Sequence, residues 1–135
     1  MRIKQYVPTN FEGLKALWEE AFPEDPQRNR AEYAVPAKLA EQPELLFVAV
    51  DGGTVIGSIM AGYDGHRGWL YSVAVKSDRK GEGLGRALVA HAEGALKARG
   101  CLKVNLQVRT GNPVVGFYER LGYATEPRTS MGKEI

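Results

Sequence analysis

A single cysteine, Cys101, and only two histidines, His66 and His91, leave this chain of 135 residues with little from which to build a metal site. The lone thiol excludes an internal disulfide and matches the usage expected in a reducing cytosol. Standing just after a helix stop, Cys101 reads as a small buried apolar residue and not as a nucleophile. Long apolar runs are missing too. The longest, Leu45 to Val50, cannot cross a bilayer, and no basic-then-apolar leader is expected at the start of the chain. Charge of one sign is equally scarce: a formal net charge of +2, with basic residues scattered, makes no footprint for nucleic acid. Repeats and low-complexity segments are absent, which argues against a solenoid or a disordered array. What remains is a single cytoplasmic domain over residues 1–135, with 44% apolar and 25% charged residues. That length buries a core without staples.

Periodicity and punctuation divide the chain. Arg2 to Val7 reads as a strand. Thr9-x-x-Glu12 is a capping-box signature, and Phe11, Leu14, Leu17, Trp18, Ala21 and Phe22 form one helical face ending before Pro23. Trp18 and Phe22 read as core, with an acceptor pocket as the other reading. Pro36 biases Val35 away from α geometry and confines a second helix to Pro36 to Glu41. Leu45 to Val50 and Thr54 to Tyr63 are strands joined at Asp51-Gly52-Gly53, and a tight connection from Asp64 to Gly68 leads into Trp69 to Val75. A helix to about Arg99 follows, stopped by Gly100. Leu102 to Val108 is the next strand, a short helix begins at Asn112, and Tyr123 to Lys133 holds one or two closing strands. The order is β-α-α-β-β-β-α-β-α-β, an α+β chain with a central antiparallel run.

The strongest functional signal runs from Val73 to Leu88. A buried strand, Val73-Ala74-Val75, passes through a short loop into Lys80-Gly81-Glu82-Gly83-Leu84-Gly85-Arg86 and the first turn of a helix. Alternate glycines permit close backbone approach and positive φ. The helix start supplies unpaired N–H groups and the positive end of the macrodipole. Such a turn suits a phosphate or pyrophosphate, with Arg79, Lys80 and Arg86 adding charge. The plain alternative is a glycine-rich connection with exposed basic residues. A Walker loop is excluded because Arg86-Ala87, and not Lys-Ser or Lys-Thr, follows Gly85. A dinucleotide fingerprint is excluded by the Gly-x-Gly-x-Gly spacing midway along the chain. A second segment, Asn112 to Tyr123, has Asn112 as a cap, Pro113 at the first helical position and Gly122 at the stop.

Lys80-x-x-Gly83-x-Gly85 resembles the acetyl-CoA motif of the GNAT N-acetyltransferase superfamily, (Gln/Arg)-x-x-Gly-x-(Gly/Ala), with Lys80 replacing Gln or Arg. Asn112 followed by Phe117-Tyr118-Glu119-Arg120-Leu121-Gly122-Tyr123 resembles the superfamily's Asn-helix-Phe-Tyr-Glu-x-Leu-Gly segment, with Asn112 six residues before Tyr118 where a spacing of seven is usual. The loop Gly62 to Gly68 is similar to that of small bacterial YpeA-like acetyltransferases. The resemblance covers nearly the whole chain. It implies a mixed, mostly antiparallel sheet with helices on both faces, acetyl-CoA as co-substrate, no metal, and an amine acceptor attacking directly in a ternary complex. It also implies that backbone of Val73, Ala74 and Val75 meets the cofactor, with an N–H toward the acetyl oxygen, while Lys80 and Gly81 through Arg86 hold the pyrophosphate. Asn112 and Tyr118 join that cofactor set, and Tyr118 is the expected general acid. The base is open: Gln107 stands where some relatives carry Glu, which leaves Asp64, His66 or ordered water. Tyr63 and Arg67 are expected on the acceptor side. A non-catalytic acyl-CoA sensor is the alternative function, and a homodimer stays open. Neither nucleic acid nor membrane is an expected partner.

Overall fold

A computed structural model describes residues 1–135. Five strands, β1 (Arg2–Gln5), β2 (Leu46–Asp51), β3 (Thr54–Tyr63), β4 (Gly68–Val75) and β5 (Val104–Asn105), form one sheet in the order β1-β2-β3-β4-β5. The first four are antiparallel neighbours, and β5 runs parallel to β4. Four helices complete the fold: α1 (Phe11–Ala21), α2 (Ala31–Glu41), α3 (Leu84–Ala98) and α4 (Val115–Arg120). The expected mixed, mostly antiparallel sheet with helices on both faces is present.

The sheet is buried on both sides because its central strands are apolar at both parities. Leu46 and Val48 of β2 face α1 and α2, where they join Leu14, Leu17, Trp18 and Val35. Phe47 and Ala49 point to the other face and pack with Leu88, Val89, Ala92 and Leu96 of α3. Gly57 brings α3 close to β3, since a Cβ there would stand 2.9 Å from Leu88 Cδ1.

Four local expectations are corrected. Thr9 and Glu12 form no capping box. The chain enters α1 through a 3-10 turn, Pro8–Asn10, and Asn10 Oδ1 accepts the Val7 N–H at 2.9 Å. The second helix extends a full turn and more before Pro36. Ala31 and Val35 are buried against α1 and the sheet, while Pro36 lies on the exposed side, where the Glu32 carbonyl it leaves unpaired can be hydrated. Helix α4 begins at Val115 and not at Pro113, because Asn112 Oδ1 first accepts the Val114 N–H at 3.1 Å in a turn.

The largest correction is at the C-terminal side. The strand expected over Leu102 to Val108 is ladder-paired only at Val104–Asn105, and Tyr123 to Lys133 contains no strand. Side chains anchor that segment instead. Glu126 accepts from Asn105 Nδ2 at 2.7 Å and pairs with Lys103, Gln107 donates to Ser130, and Arg28 Nη1 meets Glu134 Oε1 at 2.6 Å. The Lys103 ammonium and the Asn105 amide hold the Glu126 carboxyl below its ordinary range.

Candidate functional site

The site begins with a fault in β4. Ser58 opposes Ala74 and Met60 opposes Tyr71, so three steps along β4 match two along β3. The extra residue makes a bulge, and Ser72 within it has φ of +51°, the one positive φ outside glycine. Bulges bend a strand and raise its twist. With β5 ending at Asn105, β4 beyond Trp69 has no ladder partner on that side. A wide cleft opens there. Val73, Ala74 and Val75 line it, as do Leu106 and Val108 beyond β5 and Phe117 and Tyr118 of α4.

The glycine loop lies at this cleft, and its three glycines have two different reasons. Gly81 and Gly83 have φ of +83° and +81°, conformations that side-chain-bearing residues rarely adopt. Gly83 is the N-cap of α3, and its carbonyl accepts the Ala87 N–H at 3.1 Å. The N–H groups of Leu84, Gly85 and Arg86 therefore belong to the open first turn, which no side chain caps. Gly85 instead admits α4: a Cβ there would stand 3.2 Å from Phe117 Cζ.

Charge around the loop is divided. Arg79 is engaged by Glu82 at 3.0 Å and Asp51 at 3.0 Å, so its charge is neutralised, and Glu82 turns away from the cleft. Lys80 and Arg86 are exposed, line the cleft and make no ion pair. Arg109, after β5, reaches Asp25 in the α1–α2 connection at 2.8 Å, and both residues line the cleft.

Tyr118 projects from α4 with its ring edge-on to Phe117 and Tyr123, at centroid distances of 4.9 and 5.9 Å. Burial pushes its phenol pKa up. Its hydroxyl makes no hydrogen bond within the chain, whereas Tyr123 donates to Glu93 Oε2 at 2.6 Å.

The connection between β3 and β4 sits at the other end of β4, where Gly68 N–H still bonds the Lys103 carbonyl at 2.9 Å. Asp64 Oδ1 accepts the N–H groups of Arg67 and His66, each at 2.8 Å, and these bonds lower the Asp64 pKa. The backbone of Tyr63 is bonded by the Gln42 amide, which accepts from its N–H at 3.2 Å and donates to its carbonyl at 2.8 Å. Of this group only Arg67 lines the cleft; Tyr63, Asp64 and His66 do not. The fold thus gathers Val73 to Val75, Lys80, Gly81, Gly83 to Arg86, Asn112 and Tyr118 in one cleft, leaving Glu82 outside. Gln107 lines it as well, tied to Ser130.

Sequence reasoning passed over the bulge. Its only trace was a small polar residue within each of two apolar strands, Ser58 in β3 and Ser72 in β4. The Asp25–Arg109 tie had no trace at all, since its members are 84 positions apart.

The model of the acetyltransferase (GNAT) family matches residues 9–123. An acetyltransferase of Yersinia pestis (strain Pestoides F) is 41% identical over 136 residues, spanning 100% of this chain and 96% of that protein. Among solved structures, the PaiA N-acetyltransferase of Thermoplasma acidophilum in complex with coenzyme A aligns with a TM-score of 0.81 at 20% identity, covering 95% of this chain and 92% of that one. The aminoglycoside 6'-N-acetyltransferase of Acinetobacter haemolyticus aligns with a TM-score of 0.80 at 19% identity, covering 100% and 99%. These two likenesses show a shared fold.

Proposed function

The chain belongs to the acetyltransferase (GNAT) family, and from that premise we propose that it moves an acetyl group from acetyl-CoA to an amine within a ternary complex. The observation that carries this reading is the cleft where β4 leaves β5, with an uncapped helix start at its edge and an unengaged phenol on its wall. The residues fit the donor. The uncapped first turn at Leu84 to Arg86, the positive-φ glycines 81 and 83, and the free charges of Lys80 and Arg86 make a cradle for a pyrophosphate. Bound there, acetyl-CoA supplies an activated acetyl group and a thiolate leaving group.

The chain's own groups supply the rest. Backbone of Val73 to Val75 borders the cleft free of β5, available to a carbonyl oxygen that gains charge during transfer. Tyr118, an ordinary phenol proton donor at neutral pH whose pKa burial raises further, donates its proton to the departing sulfur. Asp64 and His66 stand outside the cleft, so the amine's proton passes to water in the open site. Arg67, the one member of its connection that lines the cleft, meets an anionic group on the acceptor. The solved neighbour from Acinetobacter haemolyticus is an aminoglycoside 6'-N-acetyltransferase; for this chain we propose an amine acceptor that carries an anionic group.

Ligand-dependent unfolding tests the reading. A ligand bound only to the native state at a hundredfold excess over Kd stabilises it by about 2.7 kcal/mol. Acetyl-CoA raises the melting temperature of the wild type, and Gly83→Val, still folded, loses that response. An unchanged wild-type melting curve at millimolar acetyl-CoA defeats the proposal.

A further inference from the structure

The bulge in β4 is held from the opposite side of the strand by the only polar side chain buried in the protein. Ser58 on β3 is 0% exposed among apolar neighbours, a place where alanine would pack without polar cost. Its hydroxyl donates to the Ser72 carbonyl at 2.9 Å and accepts the Trp18 indole N–H at 2.8 Å. The indole is a donor only, so it occupies a lone pair of Ser58 Oγ and leaves the single hydroxyl proton for Ser72. Helix α1 and strand β3 together thereby fix the direction of one carbonyl in the bulge. Left-handed backbone at a residue with a side chain persists where its surroundings hold it, and this pair of bonds does the holding.

The Ser72 carbonyl and the Val73 N–H belong to one planar peptide unit, and every peptide bond in the chain is trans. In a trans peptide the C=O and N–H point in opposite directions. Anchoring the carbonyl toward Ser58 therefore directs the Val73 N–H away from β3, to the side where β4 has lost β5. We propose that Ser58, oriented by Trp18, is a positioning residue that aims the Val73 N–H at the acetyl carbonyl oxygen. The inference rests on reading the cleft as the acetyl-CoA site. A donor whose direction is set before the ligand arrives polarises that carbonyl without reorganising. Neither Ser58 nor Trp18 need touch the ligand.

Infrared spectra of [1-13C]acetyl-CoA bound to the full chain, paired with calorimetric titration of CoA, test this. In the wild type the bound thioester carbonyl band lies below its solution frequency. In Ser58→Ala it returns toward the solution value, while Kd for CoA, which lacks the acetyl group, stays within about twofold. Trp18→Phe keeps a ring in the core, removes the indole donor, and moves the band in the same direction. A wild-type band in folded Ser58→Ala overturns the proposal, as does an equal loss of CoA affinity, which would mark a merely structural role. Where Ser58→Ala does not fold, a wild-type band in Trp18→Phe overturns it. A wild type that binds no acetyl-CoA is a different failure, that of the donor site itself.

Discussion

Tyr118 and Tyr123 stand edge to face, yet they differ chemically because one hydroxyl is engaged and the other is free. Tyr123 is committed to Glu93. Burial raises the Tyr118 pKa, and its hydroxyl has no hydrogen-bond partner within the chain. Removing a general acid costs typically ~10²–10⁴ in rate. Tyr118→Phe should lower kcat on that scale in a thiol-release assay, with acetyl-CoA affinity retained; a native rate would make Tyr118 a packing residue. Because its pKa is raised above the usual phenol value of about 10, this group should cause no loss of rate below that pH. Lys38 offers a second test at the scale of one residue. Its ammonium donates to the Ala61 carbonyl and, at 3.2 Å, to Gln42 Oε1, yet burial and then Arg99 push its pKa down to about 8. The unfolded lysine keeps its proton to about pH 10.5, so between about 8 and 10.5 the unfolded state binds more protons. Stability attributable to Lys38 therefore rises with pH across that window. Urea titrations at pH 7.5 and 9.5 should show a gain in the wild type that shrinks in Lys38→Met; equal pH dependence in both would refute the assignment.

At the scale of elements, the strong periodic segments were legible and the weakly paired ones were not. Helices α1 and α3 follow from apolar spacing, and α3 also from the glycines before it and after it. Helix α2 misled because proline preferences describe local backbone, whereas Ala31 and Val35 gain tertiary burial that outweighs one missing hydrogen bond. Pro36→Ala should therefore stabilise the protein by about 1 kcal/mol, less than the ~3 kcal/mol typical of proline in a helix interior. The difference arises because the Glu32 carbonyl is near solvent and because the substitution loosens the unfolded chain. Thermal unfolding measures it, and a lower melting temperature would show that the helix depends on the proline. Strand β5 failed in the other direction. Leu102 to Val108 has strand composition, but the bulge turns β4 away after Trp69, and a strand needs its neighbour's ladder as well as its own propensity.

For the whole molecule, the proposed direct transfer requires one cleft to hold donor and acceptor together, and the chain's one thiol is not exposed to carry the acetyl group between them. Cys101 is buried, with its thiol donating to the Lys103 carbonyl at 3.2 Å. Initial-rate plots against acetyl-CoA at several amine concentrations should therefore intersect, and Cys101→Ala should keep its rate. Parallel lines would indicate a covalent acetyl-enzyme. No helix is long and apolar enough to cross a membrane. The sequence by itself determined the glycine turn, the helix that follows it and the segment carrying Tyr118, because dihedral preference, capping and apolar period act over a few neighbouring residues. Only the tertiary structure decided where the sheet opens, which residues face the opening, and that Asp64 and His66 do not. Those outcomes depend on register and packing between distant positions, such as Trp18 with Ser58 across 40 residues and Asp25 with Arg109 across 84. No local preference encodes such a distance, because it is set by the sum of the contacts that close the chain around its sheet.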